Sequence, residues 1–171
     1  MKKNLEAVKY LESGYSIFPV RPKGKEPLFS WGDFQTRRAS KEEVEKWWGK
    51  YPEANIAIVT GQISGIIVLD VDGEEGKRSI EGLSIPETAT AKTGGGGLHY
   101  IFKHPGVECK NFTRKLPGID FRGDGGYIVA PPSTHENGKK YEWLKHPSEV
   151  GISEAPDWLL ELVKKKNFVI S

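Results

Sequence analysis

The chain has 171 residues, of which 37% are hydrophobic, which suits one domain whose core needs no disulfide staples. A net charge of +2 and a single cysteine exclude a polybasic tail, a disulfide framework and a cysteine-rich structural zinc site. No apolar run approaches the roughly 20 residues of a membrane span, and the early amphipathic, acidic segment is unlike a signal peptide, so we expect a cytoplasmic protein.

In chain order, apolar spacing predicts a helix over residues 5–11, a strand over 15–20 and a Pro- and Gly-containing loop over 21–27. Ser40 followed by Glu43 resembles a capping box and predicts a helix over 41–49. Further strands are predicted over 55–60, 66–72, 88–93, 98–102, 118–122, 126–130 and 141–143, before a last helix over 155–166. This order favours an α+β fold with mostly antiparallel sheets and flanking helices.

Asp70 and Asp72 end the most apolar predicted strand, at positions i and i+2. Alternation places both carboxylates on one face of the strand, where a divalent cation would relieve their repulsion. Hard oxygen ligands suit Mg²⁺ or Mn²⁺. Two solvated carboxylates at a turn are the plain alternative, and a calcium loop reaching Glu81 is a weaker one because Gly76 is one place late for it.

A run of four glycines, Gly94 to Gly97, leads into His99. Backbone N–H groups of such a run can approach a phosphate, so Gly95, Gly96 and Gly97 are candidate nucleotide-binding residues. His99 could donate to a phosphate oxygen or transfer a proton. A flexible hairpin and a structural histidine are the alternatives. We interpret His104, His135 and His146 as structural.

Asp120 and Arg122 alternate with the apolar Ile119 and Phe121 in a predicted strand. Asp120 would add a third carboxylate to the Asp70–Asp72 pair, and Arg122 would add a fork of donors suited to phosphate. The alternative is an Asp–Arg pair on a half-solvated sheet. Asp124 is interpreted as a turn residue, and Pro131-Pro132-Ser133 as the end of the sheet.

In combination, the three motifs resemble a known family. Val68–Asp72, Gly97-Leu98-His99 and Ile119-Asp120 resemble the motifs of the archaeo-eukaryotic primase superfamily, most closely its bifunctional primase–polymerase (prim-pol) domain. The similarity extends over about residues 5–145 within a single domain of residues 1–171, which could be part of a longer replication protein. It implies a primase-like core related to the RRM fold.

The resemblance implies template-directed nucleotide transfer, as a DNA primase or polymerase of plasmid, phage or mobile-element replication. Asp70, Asp72 and Asp120 would bind two divalent cations, His99 would contact the triphosphate, and Arg122 with the glycine run would assist. Lys25, in a Lys-x-Pro segment, is a weaker phosphate or template contact. Implied partners are single-stranded DNA template and primer, dNTPs or NTPs, and a fused or associated helicase, with the chain itself a monomer.

Contacts to nucleic acid would have to come from local patches, because the net charge is small. Candidate patches are Arg37-Arg38 with Lys41, Lys110 with Arg114 and Lys115, and residues 164–166. Trp31, Phe34, Trp47 and Trp48 could stack on bases, although the last two fit a helix core better. The alternative functions are a metal-dependent nuclease, a nucleotide-sugar transferase and a noncatalytic module that binds single-stranded nucleic acid.

Overall fold

The computed structural model describes residues 2–164, without the side chains of Arg114 and Lys115. The helices are α1 (Lys3–Glu12), α2 (Lys41–Lys50), α3 (Gly73–Ser79), α4 (Pro147–Val150) and α5 (Asp157–Lys164), with a short 3-10 helix at Gly32–Gln35. The strands are β1 (Ile17–Val20), β2 (Asn55–Val59), β3 (Ile66–Val71), β4 (Thr90–Lys92), β5 (Leu98–Lys103), β6 (Phe112–Leu116), β7 (Ile119–Arg122), β8 (Tyr127–Ala130), β9 (Glu142–Lys145) and β10 (Ser153–Glu154).

The strands form two sheets. The larger has the order β6-β7-β3-β5-β4-β9, with β10 pairing in parallel with β5, and the smaller has the order β1-β2-β8. All other strand pairs are antiparallel. The α+β class with mostly antiparallel sheets is therefore confirmed.

Two hydrophobic cores lie on opposite faces of the larger sheet. Ile66 and Val68 of β3 face the smaller sheet, and α1 and α2 add Ala7, Val44 and Trp48 to the same core. Ile67, Leu69 and Val71 face the other way and pack with Leu159 of α5 and the aromatic rings of β6 and β7. Burial on both faces explains why β3 is apolar almost throughout. The alternation also places Asp70 on the face of Ile66 and Val68, toward the smaller sheet.

Several predicted elements are confirmed with small shifts of their bounds. The capping box of α2 is present with both of its hydrogen bonds. The predicted strands over 118–122 and 126–130 are β7 and β8, but they belong to different sheets although they are consecutive. The Asp72-Gly73 turn begins a helix, α3, that the sequence did not predict. The last helix begins at Asp157 rather than residue 155, and residues 165 and 166 lie outside the described part of the chain.

No helix within residues 2–164 is both long enough and apolar enough to cross a membrane.

Candidate active site

Asp70 is the centre of the candidate site because β3 lies between β5 and β7. It pairs directly with His99 on one side and with Asp120 on the other. Directly opposed residues of antiparallel strands project from the same face of the sheet. Motifs that are distant in sequence therefore form one row across the larger sheet, and this register places Asp120 beside Asp70.

The Asp70 carboxylate is partly buried, and its surroundings favour its charged form. Burial alone raises the pKa of this carboxyl, but the adjacent His99 imidazole and the charges of Arg122 and Lys25 lower it, and the net pKa lies below its usual value. His99 Nε2 lies 3.6 Å from Asp70 Oδ2. His99 is buried, and its Nδ1 has no hydrogen-bond partner within residues 2–164.

The other two carboxylates have different surroundings. Asp72 is exposed at the N-cap of α3. Asp120 Oδ2 lies 3.6 Å from an Arg122 guanidinium nitrogen. Within the described residues, no three His, Cys, Asp or Glu side chains are gathered closely enough to form a metal site as they stand. The backbone thus places the three carboxylates on one face, whereas their side chains are not grouped around a common point.

A cavity of about 470 Å³ opens next to this row. Six of the residues that the sequence predicted for the site line it, namely Lys25, Asp70, Asp72, Gly95, His99 and Arg122. Asp120, Gly96 and Gly97 do not belong to its lining. The cavity thus combines carboxylates with cationic side chains and an imidazole, which suits an anionic ligand together with a cation.

The glycine run forms the turn between β4 and β5, and packing explains much of it. A side chain at Gly94 would overlap with His135, and a Cβ at Gly97 would lie 2.8 Å from the carbonyl oxygen of Val71. Gly96 has φ +91°, which side-chain-bearing residues rarely adopt. Gly95 is the member of the run that lines the cavity. Close packing therefore requires glycine at positions 94 and 97, and the backbone conformation favours it at position 96.

Five further polar or aromatic side chains of the cavity were not singled out for it from the sequence. They are Thr93, Asn111, Tyr127, His135 and Tyr141. His135 and Tyr141 follow β8, the last strand of the smaller sheet along the chain. The segment around His135 has no hydrophobic periodicity, and Tyr141 begins the strand predicted over 141–143. Burial, with the nearby charges of Asp70 and Glu136, raises the pKa of Tyr141 to about 12, so its hydroxyl stays protonated.

Asp124, in the turn between β7 and β8, pairs with His104, and both residues were interpreted as structural. His104 Nε2 is 2.9 Å from Asp124 Oδ1, and Asp124 Oδ2 accepts the N–H of Cys109 at 2.8 Å. The pair therefore ties the β5–β6 connection to the turn that enters β8.

The predicted nucleic-acid contacts have mixed surroundings. Arg37 donates two hydrogen bonds to Glu43, at 2.8 and 3.0 Å. Trp48 is a core residue whose Nε1–H donates to the carbonyl of Ala54, and Phe34 is also buried. Trp31 packs edge-to-face on Tyr127, a residue of the cavity wall. The side chains of Arg114 and Lys115, and all of residues 165 and 166, lie outside the described part of the structure.

Comparison with known proteins identifies the family. The model of the Prim-Pol family, the N-terminal domain of bifunctional DNA primase/polymerases, matches residues 7–158 of the 171 residues. The chain therefore belongs to this family, which assigns it to the primase/polymerase class of nucleotidyltransferases. The match begins within α1 and extends beyond residue 145 to the start of α5. A comparison with curated proteins found no significant match.

Proposed function

We propose that the protein is a template-directed nucleotidyltransferase that joins nucleotides in the cavity beside Asp70, acting as a single catalytic domain. The observation that carries this proposal is the register of β3, which aligns Asp70 with Asp120 and His99. Asp70 and His99 line a cavity together with Lys25 and Arg122. Membership of the Prim-Pol family supports the same reaction class.

The carboxylates fit the divalent cations that such an enzyme uses. Asp70, Asp72 and Asp120 offer hard oxygen ligands only, and Asp70 has a lowered pKa that keeps it ionised. Directly paired residues of antiparallel strands have Cα atoms about 4.5–5.5 Å apart, a distance over which two carboxylates can share one cation. When bound there, Mg²⁺ or Mn²⁺ would activate a hydroxyl and neutralise phosphate charge.

The remaining side chains would bind and orient the nucleotide. Arg122 presents a planar fork of donors and Lys25 a compact positive charge, and both suit the oxygens of a triphosphate. The backbone of Lys25 is held in place because the Tyr127 hydroxyl donates to its carbonyl at 2.8 Å. His99, which also lines the cavity, would contact a phosphate oxygen.

In the proposed reaction, the 3′-hydroxyl of a primer loses its proton to solvent, and its oxygen bonds to the α-phosphorus of the incoming nucleotide while the bond to pyrophosphate breaks. The protein would contribute mainly placement and charge. The biological setting that we propose, replication of a plasmid, phage or mobile element on a single-stranded DNA template, rests on the resemblance of the motifs alone.

Primer extension is the direct test. Wild-type protein, Asp70→Asn and the exposed control Asp33→Asn would be incubated with labelled primer–template, Mg²⁺ or Mn²⁺, and dNTPs or NTPs in parallel. We expect Asp70→Asn to lower the extension rate at least about 100-fold, because it removes a charge at the reacting centre. Asp33→Asn should extend primers like the wild type, and circular dichroism should show all three proteins folded.

Other outcomes would contradict the proposal. Shortening of the primer without nucleotides, lost in Asp70→Asn, would identify a metal-dependent nuclease. Binding of single-stranded DNA without extension by the wild type would identify a noncatalytic binding module. Equal extension by Asp70→Asn and the wild type would show that the row across the larger sheet is not the active site.

A further inference from the structure

His135 lies in a wall that separates two cavities. The cavity beside Asp70 and a second cavity of about 450 Å³ share Lys25, His135 and Tyr141 in their linings. The second cavity also contains Glu26 and Glu136 together with the cations Arg21 and Lys23. The Asp70 side of this wall is the side on which the nucleotide is proposed to bind, and Arg122 lies there.

The imidazole of His135 has one committed nitrogen and one available donor. Its Nδ1 accepts the backbone N–H of Asn137 at 3.2 Å. A neutral imidazole that accepts at Nδ1 carries its proton on Nε2, and a protonated imidazole carries one there as well. Nε2 lies next to the glycine run, 3.4 Å from where a Cβ at Gly95 would be, and it has no partner among the described residues. Nε2–H is thus a donor at the wall between the cavity beside Asp70 and the second cavity.

Hydrogen bonds on both sides keep this ring in place. The Asn137 amide donates to the carbonyl of Gly94 at 2.9 Å, which joins the His135 turn to the glycine run. The fully buried Asn55 donates to the carbonyl of Thr134 at 2.7 Å and accepts its N–H at 2.9 Å. The same Asn55 amide donates to the carbonyl of Gly24 at 3.1 Å, so one side chain positions the neighbours of both His135 and Lys25.

The Nε2 atom of His135 has different surroundings from that of His99, the histidine that the sequence singled out. His99 directs its Nε2 toward the Asp70 carboxylate, whereas the Nε2 of His135 lies in the wall that holds Lys25. We propose that His135 donates a hydrogen bond from Nε2 to a phosphate oxygen of the nucleoside triphosphate, alongside Lys25. This inference rests on the proposed function, because it assigns a substrate contact in the same cavity.

The test compares His135→Ala and His135→Gln with His146→Ala. His146 is a matched control because it is exposed, belongs to neither cavity wall and makes the same turn, accepting the backbone N–H of Ser148 at Nδ1. Calorimetry would measure the binding of dATP and of inorganic tripolyphosphate, which carries phosphates without base or sugar. Primer extension would give KM and kcat for dATP, and thermal unfolding would show that each variant is folded.

We expect His135→Ala to weaken the binding of dATP and of tripolyphosphate about tenfold, as the loss of a hydrogen bond to a charged group does. KM for dATP should rise by a similar factor with little change in kcat, because the contact exists before and during the reaction. His135→Gln should retain most of the affinity through its side-chain N–H, and His146→Ala all of it. If His135→Ala does not fold, His135→Gln compared with His135→Leu gives the same contrast.

The outcomes separate this inference from the proposed function. Extension by the wild type, with unchanged dATP and tripolyphosphate affinity in His135→Ala, would overturn the His135 contact alone. Weaker dATP binding with unchanged tripolyphosphate binding would also overturn it, because His135 would then touch base or sugar. Triphosphate binding that depends on His135 in a protein without extension activity would support the contact and overturn the proposed function. A wild type that binds neither ligand would overturn both.

Discussion

Asp120 and Asp124 lie four positions apart in the chain, in very different surroundings. Asp120 is in a strand, directly opposite Asp70. Asp124 is in the turn that follows, where one carboxylate oxygen pairs with His104 and the other accepts a backbone N–H. Asp120 is thus part of the candidate site, whereas Asp124 is part of the internal hydrogen bonding.

We predict that Asp124→Ala destabilises the protein while Asp120→Ala inactivates it. Loss of Asp124 leaves the N–H of the buried Cys109 and the His104 ring without their acceptors, which should lower the free energy of unfolding by about 1–3 kcal/mol. Below its unfolding transition, Asp124→Ala should still extend primers. Urea unfolding followed by tryptophan fluorescence, alongside primer extension, measures both effects. Wild-type stability in Asp124→Ala would contradict the structural role of this pair.

The histidines show how far single residues can be interpreted from sequence. A glycine run precedes His99 and marks it as a candidate, and the register of β5 places it beside Asp70. No motif marks the segment of His135, so the sequence indicates only a structural role for it. Its place in the cavity wall depends on the buried Asn55, 80 positions earlier in the chain, and such a contact leaves no local pattern.

At the scale of elements, local signals succeed where the chemistry of a few neighbouring residues decides the structure. Helix α2 begins at Ser40 because the Ser40 side chain and Glu43 satisfy each other's backbone N–H groups. Helix α3 escapes prediction because Asp72-Gly73 is also typical of a turn, and Gly73 has φ +64° at the helix start. The placement of β7 and β8 in different sheets could not be predicted, since both strands have similar patterns and pairing is a long-range property.

The start of α2 should make stability dependent on pH. The hydrogen bonds from Arg37, then the N–H of Ser40, lower the pKa of Glu43 from 4.5 to about 2. Because its pKa is lower in the folded state, Glu43 contributes to the free energy of unfolding. That contribution is fully present above the unfolded-state pKa and is lost as the pH falls through the folded-state pKa. The contribution should therefore fade between about pH 5 and pH 2. Glu43 is partly exposed, so the effect should be about 1 kcal/mol or less.

Glu43→Gln tests this prediction. The wild type should be more stable than Glu43→Gln at pH 7, and the difference should shrink as the pH is lowered through 4 toward 2.5, measured by urea unfolding at each pH. Glu42→Gln, exposed in the same first turn of α2, is the control and should show a smaller difference. A difference between wild type and Glu43→Gln that does not change with pH would contradict the assignment.

For the whole molecule, the fold class followed from the order of elements, but the cavity did not. The sequence predicted that Asp70, Asp72 and Asp120 share a chemical role, and the antiparallel register on β3 brings Asp120 and His99 beside Asp70. The cavity itself forms between the larger sheet and the residues around β8, and it depends on loops 21–27 and 131–140. Loop packing of this kind has no periodic signature in sequence.

Charge sets the last prediction, because basic and acidic residues nearly balance over the chain. The net charge is +2, and surface cations face carboxylates at Lys9–Glu6, Arg21–Glu26, Arg37–Glu43, Lys77–Glu74 and Lys110–Glu108. Binding to phosphates must compete with these pairs. We therefore expect single-stranded DNA to bind with a dissociation constant of about 10⁻⁶–10⁻⁴ M at physiological salt.

Fluorescence anisotropy with a labelled oligonucleotide measures this affinity. The affinity should fall about tenfold or more between 50 and 200 mM salt, even if only a few contacts form. The reason is that each phosphate contact releases counterions. An oligonucleotide with an uncharged backbone is the control and should not bind measurably, because the expected attraction is to phosphates.

Nanomolar affinity at physiological salt, for duplex or single strands, would contradict this expectation and would require a contact surface larger than the basic patches predicted from the sequence. Affinity that does not change with salt would instead indicate stacking on exposed aromatic rings as the main source of binding.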